Sequence, residues 1–163
     1  VNSITFEVIG LPAPQGSKSA YVRGGRAVIV DGSSKTGRDK HAQWRDDVCR
    51  AARLVATEMF MGPVWVGITF WMPLPKSAPH RWRHASAPDL DKLVRSVLDS
   101  LVNAGLLKDD SLVSHLAAAK WYARDGHWTG ATIDIEDLSV REEEDQQKSK
   151  ETQKAQFGKN KAP

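Results

Sequence analysis

A chain of 163 residues, 40% hydrophobic and 26% charged, has the size and balance of one ordinary globular domain, and no second folded domain is expected. Its single cysteine, Cys49, excludes an intrachain disulfide, and the His and Cys spacing does not suit zinc. A formal charge of +3 is modest, and no run of about 18 apolar residues is present, so a soluble, cytoplasmic protein without a membrane span is expected.

Residues 3–9 alternate and are β-rich, and Gly10, Pro12, Pro14 and Gly16 then break the pattern, so a first strand passes into an irregular loop. Gly24-Gly25 between AYVR and RAVIVD predicts a short hairpin. From residue 1 to 45 seven basic residues stand against Glu7, Asp31 and Asp39, which makes this segment a candidate phosphate-binding surface. Trp44, Val48, Ala51, Ala52, Val55 and Met59 recur at helical spacing, predicting a helix from about Lys40 to Phe60, stopped by Gly62-Pro63. VWVGITFWM, residues 64–72, predicts a central strand buried on both faces, with Trp65 and Trp71, like Trp44, in the core.

Four prolines and five basic or histidine residues make 73–88 an irregular basic loop, in which Trp82 is a candidate for stacking on a base. The next helix, 89–103, has the cleanest period: Leu90, Leu93, Val94, Val97, Leu98, Leu101 and Val102 form one stripe, ended by Gly105. Two strands follow near 112–122 and 128–135, joined at Asp125-Gly126. Beyond Asp137 apolar residues nearly vanish and charges dominate, so 138–163 is expected to be a disordered tail after a folded unit of 1–137. The five histidines show no ligand spacing and suit surface or packing roles.

Asp89 and Asp91 stand where the proline-rich loop becomes a helix. If Asp89 is the extended N-cap and Asp91 lies in the first turn, their carboxylates can converge, and Arg95 continues the Asp91 face one turn on. Asp109-Asp110 lies in the loop after that helix, within reach if the next strand runs back beside it. Clustered acids repel one another, and a hard divalent cation is the usual remedy, suited to phosphodiester hydrolysis. The same acids equally suit a plainer role: Asp89 and Asp91 stabilising the helix dipole, Asp109-Asp110 forming a solvated turn.

The Asp89-Leu90-Asp91-Lys92-Leu93 segment at a helix start, the Asp109-Asp110 pair about twenty residues later, and the opening Gly10-Leu11-Pro12-Ala13-Pro14-Gln15-Gly16-Ser17-Lys18 together resemble the RusA-like Holliday-junction resolvases, phage-type members above all, over about residues 4–136. The resemblance implies an α+β fold with a mixed sheet packed on two helices, forming a homodimer. It further implies an endodeoxyribonuclease that resolves branched DNA by paired nicks, acting in a bacterial cell, with Mg²⁺ (Mn²⁺ as a substitute) on Asp89, Asp91 and Asp110. No nucleotide cofactor and no membrane partner are expected. Lys92 stands where the family usually has Asn, and Arg95 where relatives carry a functional Lys. Lys120, at a position that is basic in the family, is expected with Arg95 at the scissile phosphate. Lys18, Arg23, Arg26, Arg81, Arg83 and Lys92 are the candidate DNA contacts. A branched-DNA binder without catalysis is the alternative, with Lys92 as its hint, and a small interaction module whose acids are helix caps is a third reading.

Overall fold

The computed structural model describes residues 3–16, 18–23, 26–31, 35–76 and 82–139, the side chains of 18–23 and 27–31 lying outside that description. Strands β1 (Ser3–Ile9), β2 (Lys18–Arg23) and β3 (Arg26–Asp31) precede helix α1 (Lys35–Val55). Strand β4 (Val64–Pro73) and helix α2 (Leu90–Ala104) follow, then a single 3-10 turn (Asp110–Leu112) and strands β5 (Val113–Ala123) and β6 (Gly130–Asp137). The main sheet runs β1-β6-β4-β5. Strand β6 is antiparallel to both β1 and β4, whereas β4 and β5 are parallel. The fold is therefore α+β with a mixed sheet and two helices. Three of the seven basic residues of 1–45 lie on the separate β2–β3 pair, with Arg23 opposite Arg26, and the other four lie in α1.

Burial along β4 alternates. Val64, Val66, Ile68, Phe70 and Met72 are buried, facing the helices, while Trp65, Thr69 and Trp71 are half-open on the other face. The expectation of a strand buried on both faces is thus corrected, and of the three tryptophans assigned to the core only Trp44 is there. The outer face finds its own cover: the Trp65 ring lies over Gly67, so close that a Cβ there would sit 2.4 Å from it. The Trp71 indole donates to Thr132 Oγ1 at 3.1 Å across the sheet. Continuous apolarity therefore reflects large aromatics on an open face, which no helix among the described residues covers.

Helix α1 begins five residues earlier than its apolar period indicates and ends at Val55, seven residues before Gly62. Its buried residues, Trp44, Val48, Cys49 and Ala52, meet Leu93, Val94, Val97 and Leu101 of α2 in one core. Small residues permit the close approach of the two helices. Ser100 donates to Ser96 O within α2, and the Cys49 thiol donates to Ser100 O from α1 at 3.3 Å. Asp47, also buried, accepts from Gln43 and Arg50 on its own helix.

The turn at Asp125 and Gly126, both with positive φ, joins β5 to β6 as expected, but these strands are not paired. Strand β4 lies between them, so β5 runs parallel to β4 and passes beside α2. That crossover brings the residues after α2 back towards its start. Among the described residues no helix is long and apolar enough to cross a membrane. The hairpin tip at 24–25, Arg81 and the tail from 140 on lie outside the described residues.

Candidate active site

Helix α2 is entered through a cis Ala87-Pro88 bond and an N-cap residue, Asp89, in the extended conformation (φ −66°, ψ 140°). The Asp89 side chain makes no capping hydrogen bond. Its carboxylate instead receives the Lys92 ammonium, Nζ to Oδ2 at 2.8 Å. The hydrogen bond and charge of Lys92, with a smaller contribution from Lys120, hold Asp89 below the usual carboxylate range. Asp89 in turn raises Lys92.

Asp91, in the first turn, is exposed, and it lines a cavity of about 520 Å³ together with Arg95 one turn on, Asp110, Leu116 and Ala118. The floor is apolar: Val94 and Leu98 from α2 meet Leu116 and Ala118 from β5. Among the described residues Arg95 makes no ion pair with either acid. The two acids at the end of the following loop are sorted by the 3-10 turn. Asp109 caps it, accepting from Ser111 N at 2.9 Å, and the Ser111 hydroxyl, followed by that main-chain bond, lowers the Asp109 carboxyl. Asp110 lines the cavity.

Asp89 opens towards a neighbouring cavity of about 570 Å³, also lined by Lys92, Lys40, His84 and the Leu11–Pro14 loop. The hydrogen bond from Gln15 N to Lys92 O, 3.1 Å, ties that loop to the first turn of α2. The three carboxylates expected to converge are divided between these two cavities. Asp91 and Asp110 line one cavity, Asp89 lines the neighbouring one, and among the described residues no group of three or more His, Cys, Asp or Glu side chains is placed to hold a metal.

Lys120 is engaged differently from expectation. Its Nζ donates to Ser86 O at 2.8 Å and Pro88 O at 2.6 Å, bracing the loop that delivers Asp89. The same loop is zipped to β5 by main-chain bonds from His84 N to Lys120 O and from Tyr122 N to Trp82 O. The segment expected to be wholly irregular therefore holds a one-residue bridge, Arg83 to Trp121, with the Arg83 guanidinium 5.5 Å from the Trp121 ring centre. His84 packs on Tyr122 with ring centres 4.9 Å apart, and burial, followed by the charge of Lys120, lowers its pKa. A packing role for this histidine agrees with the sequence.

Of the candidate DNA contacts, Arg26 and Arg83 are exposed. Arg81 and the side chains of Lys18 and Arg23 lie outside the described residues. Lys40 beside Asp89 was not singled out as a site residue by sequence reasoning; its only signal was membership of the basic N-terminal run. Arg124 was also missed, since nothing in its local sequence reveals that its guanidinium stands over Trp82, 4.3 Å from the ring centre.

Against protein-family models, residues 13–136 match the family described as Endodeoxyribonuclease RusA. No curated protein matches the sequence.

Proposed function

Because the chain belongs to the RusA endodeoxyribonuclease family, whose activity is the resolution of Holliday junctions, we propose that it cuts four-way junctions and other branched DNA by paired, magnesium-dependent nicking of phosphodiester bonds. The observation that carries this reading is the cavity where Asp91, Arg95 and Asp110 meet beside β5. The uncapped state of Asp89 supports it further, because a carboxylate placed only to stabilise the helix end would bond to the exposed N–H groups there.

Asp91 and Asp110 suit magnesium, which is characteristically held by one or two carboxylates together with waters and substrate phosphate. Asp89 is the third ligand in this proposal, joining once its pair with Lys92 opens. Manganese suits the same oxygen ligands. Such an ion, when bound, acidifies water and offsets charge at the phosphate.

The chain's own side chains do the rest. Arg95 presents a planar fork to phosphate oxygens and stabilises the charge that builds up during in-line hydrolysis. Lys120 acts chiefly by fixing the backbone of Ser86 and Pro88, and hence the entry of Asp89, with one N–H left for phosphate. Lys18, Arg23, Arg26, Arg81, Arg83 and Lys92 track the DNA backbone, with Lys40 added to them. The nuclease unit is residues 1–137, and 138–163 is an appendage not required for cutting.

A homodimer completes the proposal. A four-way junction has approximate two-fold symmetry, and an isologous dimer presents one site to each of two opposed strands. The half-open sheet face at Trp65 offers apolar surface for a second copy.

One observation favours a second reading, a branched-DNA binder without catalysis: Lys92 occupies Asp89 as a built-in cation. Incubating the protein with a synthetic four-way junction and matched duplex, in magnesium or EDTA, beside Asp91→Asn, separates the two. Symmetric nicking that needs magnesium, and that Asp91→Asn loses while still binding, is expected. Binding without cleavage in magnesium or manganese selects the silent binder.

A further inference from the structure

Close to the active-site loop, but outside the cavities that hold the carboxylates, lies an aromatic and cationic hollow of about 500 Å³. Trp71, Trp82, Tyr122, Arg124 and His127 line it, with Asp125 the one acid among the lining residues. Trp82 is 59% exposed, far more than a tryptophan needed only for packing. Arg124 stands over its ring at 4.3 Å, and the exposed His127 ring lies tilted against Trp71 (4.3 Å) and Trp128 (4.9 Å). Exposed π faces backed by a guanidinium are what a planar, electron-rich base stacks on, and the guanidinium edges remain to meet a phosphate.

Two main-chain constraints give this hollow a fixed place. Trp82 O accepts from Tyr122 N at 2.8 Å, so the backbone that carries the indole is held to β5. From Ala118, on the floor of the carboxylate cavity, to Tyr122 is four residues of the same strand, roughly 13 Å at about 3.3 Å per residue. At about 3.4 Å per nucleotide along a strand, a base in the hollow belongs to a nucleotide only a few steps from the phosphate that is cut.

Resting on the DNA-cutting reading above, we propose that Trp82, Arg124 and His127 form a stacking site for an unpaired nucleobase of DNA beside the branch point. Paired bases are hidden in the stack and cannot use it. A junction that exposes one gains an extra contact, so the site favours branched or frayed DNA over continuous duplex.

The test uses the full chain in calcium, to permit binding without cutting, and fixed four-way junctions carrying 2-aminopurine either unpaired at the branch or paired within an arm. Affinity is read by anisotropy and stacking by 2-aminopurine quenching. The wild type is expected to quench only the unpaired probe, and Trp82→Ala to lose that quenching with about a five- to hundredfold weaker affinity for the unpaired junction. Duplex affinity should change less than twofold. Arg124→Gln, which keeps the indole, should give a smaller loss in the same direction, and thermal melts verify that both variants fold. Unaltered quenching and affinity in folded Trp82→Ala overturn the stacking site, while magnesium-dependent junction cutting by that variant leaves the nuclease reading standing. Conversely, if the wild type never cuts junctions but still quenches an unpaired probe in a Trp82-dependent way, the nuclease reading falls and the stacking site survives.

Discussion

Asp109 and Asp110 are chemically identical neighbours, and the backbone gives them opposite tasks. Asp109 points back to cap the 3-10 turn through Ser111 N, whereas Asp110 points into the cavity with Asp91 and Arg95. Asp110→Asn is therefore expected to reduce junction nicking by on the order of a hundredfold or more, as loss of a group that stabilises reaction charge does. Asp109→Asn should keep cutting within a few-fold and instead lower the melting temperature. Single-turnover cleavage and thermal melts of both variants check this, and equal losses of nicking would show that the turn does not sort them. Lys92 carries a second expectation at this scale. Because it neutralises Asp89 from 2.8 Å, Lys92→Asn should release that carboxylate and lower the magnesium concentration that gives half-maximal cutting. A magnesium titration of nicking rate measures it; an unchanged midpoint would mean that Asp89 takes no part in holding the ion.

The loop from Trp82 to Pro88 is ordered by strand β5. Main-chain bonds at Trp82 and His84, together with the Lys120 ammonium on the Ser86 and Pro88 carbonyls, hold a stretch that belongs to no regular element. His84 is the titratable group in this brace. Burial and Lys120 lower its pKa, so the folded protein resists a proton that the unfolded chain accepts with the ordinary value of 6.5. Stability is accordingly full above that value and declines as pH falls below it. Urea unfolding at pH 7.5 and 5.5 should show the decline, and His84→Phe should flatten it. A flat profile in the wild type would place His84 in water in both states.

For the whole molecule, charge placement matters more than its sum. A net +3 is small for a DNA-binding protein, yet Lys40 lines the cavity of Asp89, the exposed Arg83 lies on the loop that feeds it, and Arg26 is exposed on β3. Each phosphate contact that is removed should flatten the dependence of log affinity on log salt by about 0.9, so Arg26→Ala and Arg83→Ala should each shift the slope by that amount and the double variant by about twice as much. Junction binding at a series of salt concentrations gives the slopes. An unchanged slope in either variant removes that arginine from the phosphate contacts.

Sequence alone determined what depends on neighbours along the chain. The apolar stripe of α2, its Gly105 stop and the extended Asp89 N-cap are all local consequences of spacing, and they agree with the structure. The motif at Asp89, Asp91 and Asp110 was likewise sufficient to indicate the family that residues 13–136 match. What sequence could not determine depends on partners distant in the chain. The end of α1 at Val55, short of the Gly62-Pro63 signal, and the open outer face of β4 follow from which surfaces the core covers. The insertion of β4 between β5 and β6 sets β5 beside α2, with Asp91 and Asp110 lining one cavity, while Asp89 pairs with Lys92 across the first turn of α2. A hydrophobic period records that a face will be buried, but a side chain's charge partner is chosen only when the chain has brought the two together.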